Sequence, residues 1–258
     1  MKRMGIGLQL YTVREATAVD FEDTLRKVAA IGYEGVEFAG YGNIKAEDMR
    51  DLLQELKLTA IGSHIGLEKL ENNLEGEITY LKTIGAKYAI CPWLSPELRS
   101  EQAWRNHMVA FEHYGKRFIE EGITFAYHNH EFEFEVEVDG KSAFDALYDE
   151  VSPHFLQVEM DIGWVQFSGN DPIAYINKYS DRLPLLHVKD YRTKPTDGAI
   201  ETVELGRGTL QLQSIIEAAS ETSVEWLIVE QDVCTNPPLQ SVEESFNWMK
   251  TNYLNQFK

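Results

Sequence analysis

The chain has 258 residues, enough for one α/β barrel or two small domains, and its 43% hydrophobic content allows a sizeable core. Lys and Arg number 24 against 42 Asp and Glu, a net charge of −18, which speaks against nucleic-acid or anionic-membrane partners. Cys91 and Cys234 make no disulfide framework, no apolar run approaches the ~20 residues of a membrane span, and the start MKRMGIGLQLYTVRE reads as a first strand rather than a leader, so the expected location is cytoplasmic.

In chain order, eight short apolar runs read as strands: Gly5–Leu10, Gly35–Phe38, Leu58–His64, Tyr88–Pro92, Ile123–His130, Leu156–Asp161, Leu185–Lys189 and Trp226–Glu230. Helical patterns fill the spaces between them. Asp20 is placed to cap a helix with Phe21, Leu25, Val28 and Ala29 on its apolar face. Ser142 with Asp145, and Ser241 with Glu244, have the spacing of capping boxes, and Asp171-Pro172 sets a cap before a first-turn proline. Gly32, Gly85 and Gly122 each end a helical run just before a strand, where a left-handed residue permits a short loop. The repeated unit predicts one α/β domain over residues 1–258, a single (β/α)8 TIM barrel. A doubly wound sheet is the alternative, but no G-x-G-x-x-G follows the first strand.

The stretch after the fifth strand, AYHNHEFEFEVEVDG, alternates in register. Phe132, Phe134, Val136 and Val138 fall on one face and acidic residues from Glu131 to Asp139 on the other. It predicts a hairpin arm at 131–141 turning at Asp139-Gly140, with its acidic side in water. The apolar side then needs a cover, as a lid over the barrel mouth or in a homodimer contact.

Active sites of such barrels form at the C-terminal strand ends. The second strand ends with Glu37, the third with His64, the fifth with His128 and His130, the sixth with Asp161, the seventh with His187 and Lys189, and the eighth with Glu230. A lone strand-end histidine is usually a hydrogen-bonded structural residue, and a lone carboxylate a cap or ion-pair partner. Four candidates on four consecutive strands, His128, Asp161, His187 and Glu230, point instead to one divalent metal. Two imidazoles and two carboxylates suit Mn, Zn, Fe or Co better than Mg or Ca.

At these residues the chain resembles the sugar phosphate isomerase/epimerase family of xylose isomerase-like barrels. That group includes ketose 3-epimerases, inosose dehydratases and endonucleases. GLQLYTVRE, GYEGVEFAG, AYHNHEFEF, EMDIGWVQFSGNDP, LLHVKDYR, ELGRGTL and IVEQD carry the resemblance along nearly the whole chain. It implies a metal held at the ends of strands five to eight, where Asp161, His187 and Glu230 match. The fifth-strand position departs, since epimerases and endonucleases usually have Glu where this chain has His128; the inosose dehydratase branch has a similar Tyr-His-x-His. Trp164 stands where those enzymes often have a histidine, and strand four, YAICPWL, offers no ligand. Too few ligands and the negative charge count against an endonuclease.

The expected activity is a metal-dependent isomerase or epimerase of a sugar, working by proton abstraction α to a carbonyl. A dehydratase or lyase of a keto-cyclitol or 3-keto-sugar is the alternative, and a non-catalytic sugar-binding barrel the third reading. The resemblance implies that Glu230 is both ligand and base. His130 is a second candidate base, and Lys189 and His64 would stabilise charge or donate a proton. Glu37, Trp164 and Arg192 are the expected contacts to a small carbohydrate substrate.

Overall fold

The computed structural model describes residues 1–194 and 198–257. Eight parallel strands close a barrel: β1 (Gly5–Gln9), β2 (Gly35–Phe38), β3 (Thr59–His64), β4 (Tyr88–Cys91), β5 (Thr124–His128), β6 (Gln157–Asp161), β7 (Leu185–Val188) and β8 (Trp226–Val229). Each pairs with its neighbour in sequence, and β8 closes on β1 in the register Gly5↔Trp226 to Leu8↔Val229. All eight predicted strands are present, with ends within two residues of those expected.

Helices cover the outside of the barrel. The predicted punctuation holds at Asp20, Ser142 and Asp171, whose side chains accept from the backbone N–H of Asp23, Asp145 and Ile173. Gly32, Gly85 and Gly122 all have positive φ. The Ser241–Glu244 expectation is corrected. That helix starts at Pro238, so Ser241 lies inside it, and its buried hydroxyl donates to Glu204 Oε1 at 2.8 Å.

The barrel interior has two levels. Ile61, Tyr88, Ile90, Ala126, Leu185 and Ile228 form an apolar plug distinct from the core between strands and helices. Gly7 makes room for it, since a Cβ there would overlap Ile61 Cδ1. Above the plug the inward residues turn polar, which places every buried charge described below at one end of the barrel.

The arm differs from its expectation. β5 stops at His128, and Phe132–Glu135 form one helical turn. Only Glu137–Val138 and Lys141–Ser142 pair as strands, around a turn with positive φ at Asp139 and Gly140. Beyond the barrel the chain has no ladder partner, and the Glu133 carboxylate accepts the His130 N–H at 2.8 Å, a bond that favours the turn over extension. The apolar face is covered within the chain. Phe134 stacks on Phe144 at 5.0 Å, while Phe132 and Val138 are buried in the core. Neither a lid nor a second subunit is required for it.

Glu133 is likewise not in water. It is fully buried and accepts from Tyr127 Oη at 2.6 Å, and burial pushes its carboxyl up to about 8. A carboxyl that titrates near 4.3 when unfolded and about 8 when folded binds more protons in the native state between those values. Its stabilising contribution is complete below pH 4 and is lost as pH rises to 8, at a limiting slope of about 1.4 kcal/mol per pH unit. The stability advantage of wild type over Glu133→Gln, measured by urea unfolding from pH 5 to 8.5, is expected to shrink steadily. A difference independent of pH would contradict this.

Candidate active site

The polar ring is built from inward residues of seven strands or their ends. On β1 and β2, Gln9 Nε2 donates to Glu37 Oε2 at 2.7 Å. At the end of β3, His64 Nε2 lies 2.7 Å from Glu159 Oε2 and 3.0 Å from Glu37 Oε2. Glu159 and Asp161 share the inner face of β6, two residues apart.

His128 and His187 each use both ring nitrogens. His128 Nδ1 lies 3.1 Å from Glu159 Oε2, while its Nε2 is 4.0 Å from Asp161 Oδ2. His187 Nε2 lies 2.8 Å from Glu37 Oε2 and 3.3 Å from Glu159 Oε2, and its Nδ1 is 2.8 Å from Glu230 Oε2. One nitrogen of each ring therefore faces Glu159, and the other faces Asp161 or Glu230.

Asp161 is held from three sides. Its Oδ1 caps the helix Ile162–Phe167 by accepting from Gly163 N and Trp164 N, and its backbone N–H donates to Asn129 Oδ1 at 2.9 Å. Its Oδ2 makes no hydrogen bond of good geometry, although Lys189 Nζ stands 2.8 Å away. Lys189 is fully buried and pairs also with Asp232 at 2.7 Å and Glu230 at 3.3 Å, not with Glu159.

The charges follow from these neighbours. Burial pushes the His64 imidazole down, but Glu37 and Glu159 outweigh it and raise it to about 10, so His64 is cationic at neutral pH. Burial likewise opposes charge on His187, which Glu159, Glu230 and Glu37 hold well above its ordinary range. Burial with the adjacent cations keeps His128 and His130 neutral, His130 at about 3. Glu37 and Glu230 stay below the usual carboxylate range because their cationic neighbours overcome burial. Burial, reinforced by Glu37, raises Glu159.

Among the described residues, two groups could hold a metal ion, each with donor atoms within 4.8 Å of one another. One is His128, Asp161, His187 and Glu230; the other is His64, His128, Glu159 and His187. The first is the set expected from the strand ends. The donor chemistry fits a divalent ion, and Asp161 Oδ2, with no hydrogen bond, is aimed into the group. A cavity of about 740 Å³ opens above, and His64, His128, His130 and Glu230 form part of its wall.

Three expected substrate contacts, Glu37, Trp164 and Arg192, lie away from the cavity wall. Glu37 is sealed beneath the cavity by His64 and His187. Trp164 stands behind His130, ring to ring at 5.7 Å, and over the Lys189 ammonium. Arg192 lies exposed on the ribbon Asp190–Thr193, where its Nε donates to the Arg207 carbonyl at 2.6 Å. Lys189 is also absent from the cavity wall, so its contacts are with the carboxylates. The reading of strand ends passed over Gln9, Asn129, Glu159 and Asp232. The period-two spacing of Glu159 with Asp161 was the available signal, because it puts both on one strand face.

Residues 25–252 match the family described as the xylose isomerase-like TIM barrel. The chain is 24% identical over 253 residues to an inosose dehydratase of Lacticaseibacillus casei, covering 83% of each. Its fold is similar to a sugar phosphate isomerase/epimerase from Parabacteroides distasonis, with a TM-score of 0.81, 23% identity and coverage of 96% of this chain and 98% of that one. It also resembles the structure of an IOLI protein with a zinc atom, with a TM-score of 0.77, 15% identity and coverage of 98% and 97%. The family match spans most of the barrel, from the helix Phe21–Ile31 to the helix Pro238–Asn252, and the chain belongs to the xylose isomerase-like TIM barrel family.

Proposed function

We propose that the chain is a metal-dependent lyase of a keto-sugar or keto-cyclitol, acting by proton abstraction α to the carbonyl. The observation that carries this reading is the gathering of His128, Asp161, His187 and Glu230 at the foot of a substrate-sized cavity. A divalent ion held by those four would polarise the carbonyl and steady the negative charge that develops there. The zinc atom named for the IOLI protein supports a metal in this barrel class.

The remaining work falls to this chain's own groups. His130 forms part of the cavity wall as a neutral imidazole, with Glu230 otherwise engaged, so it is the favoured proton acceptor. Glu230 is less available, with Oε2 engaged by His187 and Lys189. His64, cationic and also on the cavity wall, is the favoured donor. Two imidazoles with opposite protonation in one cavity suit paired acid and base work. In the elimination, the C–H electron pair becomes the enolate, and its collapse expels the β-oxygen, which leaves with a proton from His64. No oxidant or reductant is needed.

Elimination is preferred to isomerisation because His128 replaces the strand-five glutamate expected of epimerases, and because of the inosose dehydratase relatives. The isomerase or epimerase reading is kept as second, since the same pair could return the proton to the substrate carbon. A panel of keto-sugars and keto-cyclitols in deuterated buffer, scored by NMR and product mass, separates the two. The expected result is a product lighter by the leaving group. A product of unchanged skeleton mass with deuterium at the α carbon would replace the lyase by the epimerase. No exchange and no product across the panel would remove both.

A further inference from the structure

Seven large hydrophobic residues are strongly exposed among the described residues, and three of them, Tyr11 at 44%, Trp93 at 46% and Val233 at 67%, share the wall of the active-site cavity. The other four are scattered over the surface, as single exposed apolar residues usually are. Tyr11 follows β1 and Val233 follows the adjacent β8, while Trp93 follows β4 on the other side of the barrel, so the three face the cavity from two sides of the rim. They stand one loop beyond the histidines and Glu230.

The two rings are pinned. Arg14 lies over Tyr11 with Cζ 4.1 Å from the ring centroid, and its Nη1 donates to the Tyr11 carbonyl at 2.8 Å. Arg99 lies 5.1 Å from the Trp93 ring and 3.6 Å from the Phe132 ring, with Nε donating to the Leu94 carbonyl at 2.8 Å. Each aromatic ring thus has a guanidinium against it that limits its movement. Fixed, half-exposed rings on two sides of the mouth beside a reactive centre each offer a face for stacking.

The volume sets a second condition. At the ~30 Å³ that a water takes up in the liquid, roughly a dozen heavy atoms of one hexose fill less than half of this cavity. About 740 Å³ lies within the range of sites that take much larger ligands.

We propose that the substrate is a glycoside rather than a free sugar, with an aromatic or other planar apolar aglycone held between Trp93 on one side of the mouth and Tyr11 with Val233 on the other, while the keto-sugar ring faces the histidines. This rests on the keto-sugar reading above and names its substrate class. With the carbonyl two carbons from the anomeric carbon, the proton is lost from the carbon between them, and the aglycone oxygen is the β-leaving group, released as a phenol or alcohol. Arg14 and Lys69 also reach this cavity. They make an anionic substituent the competing occupant, but Lys69 is already paired with Glu77 at 3.6 Å and Arg14 is stacked on Tyr11.

The test uses unreactive probes, so binding is read apart from turnover. Affinities of the metal-supplemented protein for phenyl and methyl glucosides and for a hexose phosphate are measured calorimetrically, with Trp93→Ala, Tyr11→Ala and an Arg14→Ala, Lys69→Ala double variant. The phenyl glucoside is expected to bind about 10-fold tighter than the methyl glucoside, the size of an aromatic contact, and Trp93→Ala to bring the ratio near one. Equal affinities in wild type would overturn the proposal, as would a phenyl preference that survives loss of both rings. A preference for the hexose phosphate that disappears in the double variant would assign the rim to an anion instead. If the phenyl preference holds while the keto-sugar panel yields no product, the aglycone site stands and the lyase reading fails.

Discussion

Purified without chelators, the wild-type chain is expected to carry one equivalent of a divalent ion per barrel, and Asp161→Asn to lose it while staying folded. Asp161 does two jobs with two oxygens. Oδ1 caps the helix Ile162–Phe167, and Oδ2 faces the candidate ligands. Asparagine keeps an oxygen for the cap and removes the charge. Asp161→Ala would lose both and mix a capping loss of about 1 kcal/mol with the metal effect. Lys189 keeps Asp232 and Glu230 as partners in the variant, so no cation is left alone. Changes outside a ligand sphere commonly cost ~10–100-fold in metal affinity, and removal of a charged ligand is expected to exceed that range. His187→Ala is a poorer choice, because Glu37, Glu159 and Glu230 would be left facing one another in the interior. Elemental analysis and chelator competition decide the matter. Equal metal content in wild type and Asp161→Asn would remove Asp161 from the ligand set, and a metal-free wild type after soaking would remove the enolisation chemistry.

Glu159→Gln is expected to weaken metal binding by about 10–100-fold without touching the set His128, Asp161, His187 and Glu230. One carboxylate oxygen, Oε2, lies within 3.3 Å of nitrogens from His64, His128 and His187. It thereby favours the ring orientation in which His128 Nε2 faces Asp161 and His187 Nδ1 faces Glu230. A glutamine offers one neutral oxygen where a carboxylate served three rings. The imidazole ¹⁵N shifts of the metal-free protein give a readout independent of activity, with a change in tautomer population at both His128 and His187 expected. Unchanged shifts and affinity would assign Glu159 a packing role only. A wild type that takes two equivalents, with one lost in Glu159→Gln, would make Glu159 a ligand of the second group.

The sequence made the ends of strands conspicuous and their interiors opaque. His128, Asp161, His187 and Glu230 stood out because each closes an apolar run, where an ionisable group needs a partner. Glu159 was hidden because it lies inside β6, at a position where composition alone suggests an apolar residue. Its partners are 95 residues away at His64 and 31 at His128, a pairing no local pattern carries. The arm failed for a related reason. Alternation of Phe and Glu has a strand's period, but a strand also needs a ladder, and past His128 the pairing to both neighbours stops. One helical turn then sends both Phe132 and Glu133 inward.

The seam between β1 and β8 joins residues about 220 positions apart, and the ends of the chain reinforce it. Lys2 Nζ donates to the Thr222 carbonyl at 2.7 Å, and Tyr253 Oη to that of Met4 at 3.1 Å. Gln9, Glu37 and His64 come from one side of this seam, Glu230 and Asp232 from the other. Contacts so distant along the chain form late, after the local βα units. The buried charges on the two sides of the seam are therefore expected to lose their water together, in the step that joins the first strand to the last. Folding kinetics inherit that dependence: an ion that binds only the closed ring slows the parting of the seam more than it speeds the growth of the units.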